Sequence, residues 1–187
     1  MKEHRKDFFL NCKTLLRKKD DVRKDLYGSL ERLKTDHFDM YSLHSVDTED
    51  ELETGLGPGG GMDIILDARS QGLLHYVGIT SHSLPLLIKA LEMFDFDAIM
   101  FPLNFICYAD TGYRAYYNKL MKHAISKDVG VMVIKAIAKS NWGEQHHNTP
   151  FWKMPYTTWY EPFSTPAEIK RSLDFVIVSP HIVDVHF

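Results

Sequence analysis

The feature that most constrains the fold of this chain is a regular alternation between short apolar segments and longer segments with apolar residues at helical spacing. Short apolar segments are typical of buried strands, and the longer segments are typical of helices that cover a sheet. The candidate strands cover residues 7–14, 37–44, 75–80, 98–106, 129–138 and 182–187. Strands that alternate with helices run parallel and are joined by right-handed crossovers, so the sequence predicts a parallel α/β fold.

The segments between these strands predict helices and three loops. Apolar periodicity places helices over residues 20–33, 62–72, 84–94 and 114–127, with a last helix that begins after residue 165. The last helix has a clear start, because Thr165 can cap it and Glu168 completes a capping box. The acidic stretch at 47–53, the glycine cluster at 55–61 and the aromatic stretch at 139–164 are predicted to be loops.

Two architectures fit this order of elements: an open, doubly wound sheet and a (β/α)8 barrel. A complete barrel usually needs about 250 residues, and this chain has 187. Six strand–helix units would complete an open sheet but would supply only three quarters of a barrel. The pattern of elements alone leaves both architectures open, and the length is that of a single domain.

Charge and cysteine content exclude several classes of protein. Lys and Arg together number 22 and Asp and Glu 25, which gives a formal net charge of -3 and no overall basic footprint. We therefore expect neither a nucleic-acid partner nor a membrane partner. The two cysteines, Cys12 and Cys107, make neither a disulfide framework nor a metal cage, so we expect no metal and a reducing cytoplasm. The charged N-terminus does not resemble a secretory signal.

Lysine and histidine recur at the carboxyl ends of the candidate strands. Lys13 ends the first strand, His44 the second and residues 80–82 the third, whereas Asn104 and Lys135 lie late in the fourth and fifth. Parallel α/β folds bind ligands outside this end of their strands, so these residues predict a polar pocket. Two alternatives stay open. Lys13 and His44 could be ordinary polar residues that face solvent at strand ends, and Lys135 could be a lysine that extends its ammonium to the surface without contacting a ligand.

Five segments resemble, in colinear order, motifs of the aldo/keto reductase family. SLERLKTDHFDMYSLHSV at residues 29–46 is similar to the family's helix and strand that end in a catalytic histidine, and NCKT to the strand that ends in a catalytic lysine. GLLHYVGITSHS, FDAIMFPLNF and DVGVMVIKAIA resemble three later strands. The resemblance runs from residue 8 to residue 138 and continues more weakly to the end. The acidic, glycine-bearing loop is most similar to the branch that often carries an iron–sulfur tail.

The resemblance implies an incomplete (β/α)8 TIM barrel, with strands three to eight of the family in one partial domain over residues 1–187. It also implies an oxidoreductase that uses NADPH to reduce an aldehyde or ketone. Of the catalytic tetrad Asp, Tyr, Lys and His, Lys13 and His44 match the last two. The family's Asp and Tyr would fall upstream of Met1 and its phosphate loop after Phe187. We therefore expect weak or no reductase activity from this chain alone.

The resemblance also assigns roles to residues. In the family the lysine ammonium lowers the pKa of the tyrosine that donates a proton, and the histidine polarises the carbonyl oxygen; Lys13 and His44 would take these roles. Thr80 and Ser81 match a Ser–Asn pair that holds the nicotinamide carboxamide. Further cofactor contacts fall to Asn104 and, as in one branch, Lys135, whereas Met100 stands where the family often has Gln.

A different class of function is a barrel remnant without catalysis that acts by binding or assembly. Missing strands would leave two open barrel edges, and unpaired edges favour self-association. Protected amides at both edge strands of a dilute monomer would contradict an open barrel.

Three other sequence features are weaker candidates for a ligand site. The glycines at 55–60 fit G-x-G-x-x-G by letter, but they follow an acidic stretch and not a strand, so we expect a loop and not a phosphate site. His146 and His147 are adjacent, which is a poor arrangement for one metal ion. Aromatic residues of the 139–164 loop form either a substrate wall or packing against the barrel, and they are Phe151, Trp152, Tyr156, Trp159, Tyr160 and Phe163.

Overall fold

The computed structural model describes residues 2–143, 146, 149–150, 153–154, 158 and 160–185 of the chain. The strands are β1 (Asn11–Thr14), β2 (Phe38–Leu43), β3 (Leu74–Thr80), β4 (Ala98–Pro102), β5 (Gly130–Ile134), β6 (Ala138–Ser140), β7 (Glu161–Pro162) and β8 (Ile182–Val185). The helices are α1 (Lys19–Leu33), α2 (Glu49–Leu56), α3 (Gly61–Ser70), α4 (Leu84–Met93), α5 (Phe105–Ala109), α6 (Thr111–Ser126) and α7 (Pro166–Ile177), preceded by a 3-10 helix (Lys2–Asp7).

Six of these strands form one parallel sheet in the order β1-β2-β3-β4-β5-β8. Each strand pairs with the next one of the sheet along the chain, whereas a doubly wound sheet reverses its strand order near the middle. The remaining pair, β6 and β7, forms a separate antiparallel hairpin between β5 and α7. The sheet is an incomplete (β/α)8 barrel, which confirms the predicted fold class.

The two faces of the sheet are covered unequally. On the outer face, helices α1, α3, α4 and α6 bury the main core, whose largest fully buried side chains include Tyr41, Phe38 and Leu26. On the inner face a small cluster is formed by Met40, Ala98, Met100 and Met132. A groove of about 550 Å³ runs beside this cluster. The concave face therefore stays partly open to solvent.

One predicted loop and one predicted strand were wrong, and in both cases a helix cap explains the difference. The acidic stretch contains α2, because Thr48 and Glu51 form a capping box that starts a helix within it. The strand predicted over 98–106 ends at Pro102. The Asn104 side chain then accepts a hydrogen bond from the Cys107 amide at 2.9 Å and starts α5.

The remaining differences concern element boundaries. The first strand begins at Asn11 and not at residue 7, and the fifth ends at Ile134 because Lys135 has a left-handed backbone with φ of 61°. The predicted 139–164 loop holds most of the β6–β7 hairpin. The capping box of Thr165 and Glu168 is confirmed at the start of α7. The last strand is described to residue 185, and residues 186–187 lie outside the described residues.

Within the described residues, no helix is long and apolar enough to cross a bilayer.

Candidate functional site

A cavity of about 420 Å³ lies at the carboxyl edge of the sheet, where β2, β3, β4 and β5 end. Its lining residues come from these strand ends, and they are His44, Thr80, Ser81, His82, Met100, Ile134 and Lys135. The structure thus brings together four of the six predicted site residues. Lys13 and Asn104 lie at the same edge but do not line the cavity.

His44 follows β2 and is held by the end of β3. Its Nδ1 lies 2.8 Å from the Thr80 hydroxyl, and that hydroxyl accepts a hydrogen bond from the Ser45 amide at 2.8 Å. The hydroxyl proton of Thr80 is then free to be donated to Nδ1, and this assignment puts the ring proton of His44 on Nε2. The imidazole can therefore offer an N–H to a ligand in the cavity.

The environment of His44 favours the neutral form of its ring. Partial burial is the main cause that lowers its pKa, and the positive charge of Lys13 adds to it. A neutral imidazole with its proton on Nε2 can polarise a carbonyl oxygen without carrying a charge itself.

Arg17 fixes the backbone around His44. Its buried guanidinium donates from Nη2 to the carbonyl oxygens of His44 at 2.8 Å and Ser45 at 3.0 Å. It also donates from Nη1 to the Thr14 carbonyl at 3.4 Å, and it pairs with Glu51 at 3.4 Å. Arg17 thereby ties the ends of β1 and β2 together around Ser45, whose φ is 54°. Sequence reasoning missed this residue, since its partners are carbonyls with no sequence signature.

Asp47 organises the other side of the cavity. Its Oδ1 accepts from the Ser81 hydroxyl at 2.9 Å and the His82 amide at 2.6 Å. Its Oδ2 accepts from the Ser45 hydroxyl at 2.8 Å and from His82 Nδ1 at 2.9 Å. Burial opposes the charge of this carboxylate, but the hydrogen bonds outweigh it and hold the pKa of Asp47 far below its usual range.

His82 links Asp47 to Lys135. Its Nδ1–H donates to Asp47, and its Nε2 lies 3.0 Å from Lys135 Nζ, so the ammonium donates to Nε2. Both ring nitrogens are thereby satisfied, and the ammonium of Lys135 is held at the cavity wall. The sequence placed His82 at a strand end without giving it a role, and it placed Asp47 in an acidic loop.

Two predicted cofactor residues have structural bonds of their own. The Ser81 hydroxyl donates to Asp47 and accepts from the Ser83 amide at 2.9 Å. Asn104 donates from Nδ2 to the Lys135 carbonyl at 3.0 Å, besides capping α5. Asn104 therefore sets the backbone from which the Lys135 side chain extends.

Lys13 is the second-last residue of β1 and lies opposite Ser42 in the sheet register. Its side chain is exposed, and no carboxylate pairs with it among the residues that the structure describes. Although solvent reaches this side chain, the atoms packed around it desolvate the ammonium and lower the pKa of Lys13. The residue is a free cation beside His44, consistent with its influence on the pKa of that histidine.

No tyrosine lines the cavity in the described part of the chain. Tyr41 is fully buried on the helix-covered side, where its hydroxyl lies 3.4 Å from Asp25 and burial raises its pKa. It cannot donate a proton into the cavity. Tyr108 packs edge-on against Tyr117, also away from the cavity.

The structure describes only some of the residues that were weaker candidates. Phe163 is buried and stacks on Phe105 with ring centroids 5.2 Å apart, so it packs against the fold. Tyr160 is half-buried, and His146 contacts the Trp142 ring. A Cβ on Gly60 would lie 2.4 Å from the Thr54 carbonyl, so this glycine permits close packing between α2 and α3. The other candidates lie outside the described residues, and they are His147, Phe151, Trp152, Tyr156 and Trp159.

Comparisons with known proteins agree with this geometry. An aldo-keto reductase from Pseudomonas aeruginosa matches with a TM-score of 0.67 at 17% identity, over 98% of this chain and 62% of that one. AKR11C1 from Bacillus halodurans, in its holo form, matches with a TM-score of 0.66 at 18% identity, over 98% of this chain and 63% of that one. Bombyx mori AKR2E4, solved in complex with NADP, matches with a TM-score of 0.51 at 21% identity, over 71% of this chain and 42% of that one.

These likenesses show the fold, and the chain spans about 62% of the length of the first two structures. No curated protein sequence matches the chain. The model of the aldo/keto reductase family matches residues 1–151, which is well over half of the 187 residues. The protein is therefore a member of the aldo/keto reductase family, an oxidoreductase family, and its six-stranded sheet is part of that family's barrel.

Proposed function

We propose that this chain carries the carbonyl-polarising part of an NADPH-dependent reductase that converts an aldehyde or ketone to an alcohol. The observation that carries the proposal is the state of His44. Its Nδ1 is occupied by Thr80, its surroundings favour the neutral ring, and the residue lines the cavity of about 420 Å³. A fixed neutral donor at this position favours a carbonyl oxygen as the ligand.

The charges around the cavity support the same chemistry. Reduction of a carbonyl builds negative charge on its oxygen. Lys13 stands beside His44, and the Lys135 ammonium is fixed by His82 at the cavity wall, so both cations stabilise that charge. His44 supplies the hydrogen bond that orients the oxygen. The proton that completes the alcohol is expected from the family's tyrosine, which has no match in residues 1–187.

The wall of the cavity fits the nicotinamide end of the cofactor. Lys135 uses one of its three ammonium donors on His82, which leaves donors for a carboxamide or phosphate oxygen. Thr80 and Ser81 place hydroxyls beside it, and Asn104 supports the backbone of Lys135. When bound, NADPH supplies the hydride. We assign these four residues to its binding and place the protein in the cytoplasm.

The test measures NADPH binding by fluorescence or calorimetry, together with reduction of generic aldehydes. Lys13→Met and His44→Ala should each abolish any turnover and leave the fold intact. Glu92→Gln, on the surface away from the cavity, is a matched control that should change neither binding nor turnover. Turnover that survives both Lys13→Met and His44→Ala would contradict the proposed roles.

A second candidate function is assembly without catalysis. The outer edges of β1 and β8 have no neighbouring strand in the described sheet, and Phe9 and Val183 beside the concave groove are 58% and 69% exposed. Exposed edges and apolar residues favour association with a second copy of the chain.

Sedimentation and hydrogen exchange separate the two candidates. Assembly predicts self-association that grows with protein concentration, with β1 amides protected only in the associated form. A dilute monomer whose β1 amides are as protected as those of β5 would exclude it.

A further inference from the structure

Two histidines and an aspartate converge at the amino edge of the sheet, opposite the candidate active site. One ligand atom from each of His37, Asp39 and His75 lies within 4.8 Å of the other two. The rings of His37 and His75 have centroids 5.3 Å apart. Nothing in the proposed reduction at the carboxyl edge uses these residues.

The sheet register explains why they converge. His37 directly precedes β2, and Asp39 is the second residue of that strand. Phe38 pairs with Leu74, and this register sets His75 of β3 beside Asp39 of β2. The three side chains are thus held by the same parallel pairing that builds the barrel wall.

We propose that His37, Asp39 and His75 bind a divalent transition-metal ion of the Zn²⁺ class. Imidazole and carboxylate are ordinary Zn²⁺ ligands, and two histidines with one carboxylate leave a coordination position for water. Mg²⁺ and Ca²⁺ prefer oxygen ligands in larger numbers, so a set with one carboxylate disfavours them.

A second observation points the same way, because His37 is already oriented as metal ligands are. Its Nδ1 lies 2.6 Å from Asp36 Oδ1, so the ring donates its Nδ1 proton to that carboxylate. In the neutral ring this leaves Nε2 with a free lone pair. A carboxylate behind a ligating histidine fixes the tautomer and raises ligand basicity in known metal sites.

Asp39 is shared with a competing cation. Arg5 Nη2 lies 2.8 Å from Asp39 Oδ2, and the same oxygen accepts from the Leu10 amide at 2.6 Å. Both contacts use Oδ2, which leaves Oδ1 as the metal ligand. Arg5 therefore lowers the affinity of the site. A cavity of about 1190 Å³, lined by Arg5, His37 and Asp39 among others, provides a route for the ion.

The experiment titrates tag-free, EDTA-treated protein with Zn²⁺ by calorimetry and with Co²⁺ by visible absorption. We expect one ion per chain and no heat with Mg²⁺. His75→Gln and His37→Gln should each weaken Zn²⁺ binding more than tenfold. His75 is exposed, so its substitution leaves the fold intact, which circular dichroism checks. His123→Gln, a histidine paired with Glu92 away from the cluster, is the matched control.

Two further variants test the geometry and not only the presence of histidine. Asp36→Asn should weaken Zn²⁺ binding about tenfold, as loss of an outer carboxylate does in known sites. Arg5→Gln should strengthen it, since Asp39 loses its competing cation. Absence of Zn²⁺ binding, or binding that survives the double substitution of His37 and His75, would overturn the proposal. So would binding that is lost in His82→Gln.

Discussion

The two edges of the same sheet carry similar residues in different states. At the carboxyl edge, both ring nitrogens of His82 are occupied, by Asp47 and by Lys135. At the amino edge, His37 uses only Nδ1, and His75 has a ring contact but no hydrogen bond to a described residue. These histidines and aspartates lie on or beside β2 and β3. They form a satisfied hydrogen-bond network at the carboxyl edge and leave imidazole lone pairs free at the amino edge.

Residue type alone therefore does not define a site. The chemistry available at each edge depends on which lone pairs and protons already take part in hydrogen bonds. A satisfied network positions charges for chemistry on a ligand, whereas free imidazole nitrogens are available to a metal ion. Substitutions at the two edges should therefore differ in their effects on stability and titration.

The largest effect is expected from Arg17, which organises the carboxyl edge. Arg17→Ala should lower the free energy of unfolding by about 3 kcal/mol, because the carbonyls of His44 and Ser45 lose their charged hydrogen-bond donor. Urea unfolding measures this. Arg69→Ala removes a guanidinium that is 40% exposed in a surface pair with Asp97 and should cost less than about 1 kcal/mol. Equal costs would show that this edge is not organised by buried hydrogen bonds.

The next effect concerns the partner of His44. Thr80→Val should cost about 2 kcal/mol, because the Ser45 amide loses its acceptor in a buried site. It should also release the tautomer of His44, which nitrogen NMR shifts of the ring report. Thr80→Ser keeps the hydroxyl and should preserve the tautomer. A single Nε2–H tautomer that persists in Thr80→Val would refute the assignment.

A smaller effect is expected from Asp47 in acid. Its pKa is depressed in the folded state and near 3.8 in the unfolded chain, so its stabilising effect is complete above about pH 5 and falls as the pH drops below about 4. Because the side chain is 35% exposed, we expect Asp47→Asn to cost only about 1 kcal/mol at pH 7.

The loss in Asp47→Asn should shrink as the pH falls, and unfolding curves between pH 3 and pH 7 measure it. Asp50→Asn, on the exposed side of α2, serves as the control and should change stability by less than about 0.5 kcal/mol. A loss that stays constant with pH in Asp47→Asn would contradict the depressed pKa.

The smallest effect is electrostatic. Lys13→Met should raise the pKa of His44 toward its ordinary value, since the Lys13 charge helps to lower it. An NMR titration of His44 measures the change. Lys34→Met, at the amino edge, should leave it where it is. A pKa of His44 that responds equally to both substitutions would mean that the two edges are electrostatically coupled.

Sequence patterns were sufficient to predict the alternating strands and helices of the barrel wall. Apolar periodicity located the six sheet strands and most helices, and the strand ends located the cavity through His44, Thr80 and Lys135. Colinear motifs decided for the barrel, which element order alone could not do.

The missed features depend on contacts between distant segments. Asp47 and His82 are 35 residues apart, and Arg17 binds carbonyls 27 and 28 residues away, so neither contact has a local pattern. Helix α2 was missed for a different reason. Its capping box was present in the sequence, but the acidic charge and neighbouring glycines favoured a loop.

The strand order of the sheet is also the order in which the ribosome delivers the strands. Each new unit can dock on the edge of a sheet that already exists, without waiting for a distant partner. Loop-closure entropy is limited at most steps, and the longest connection, from β5 to β8, spans residues 135–181. The first five strands and β8 can therefore add at one advancing edge during synthesis, each against the strand that precedes it in the sheet.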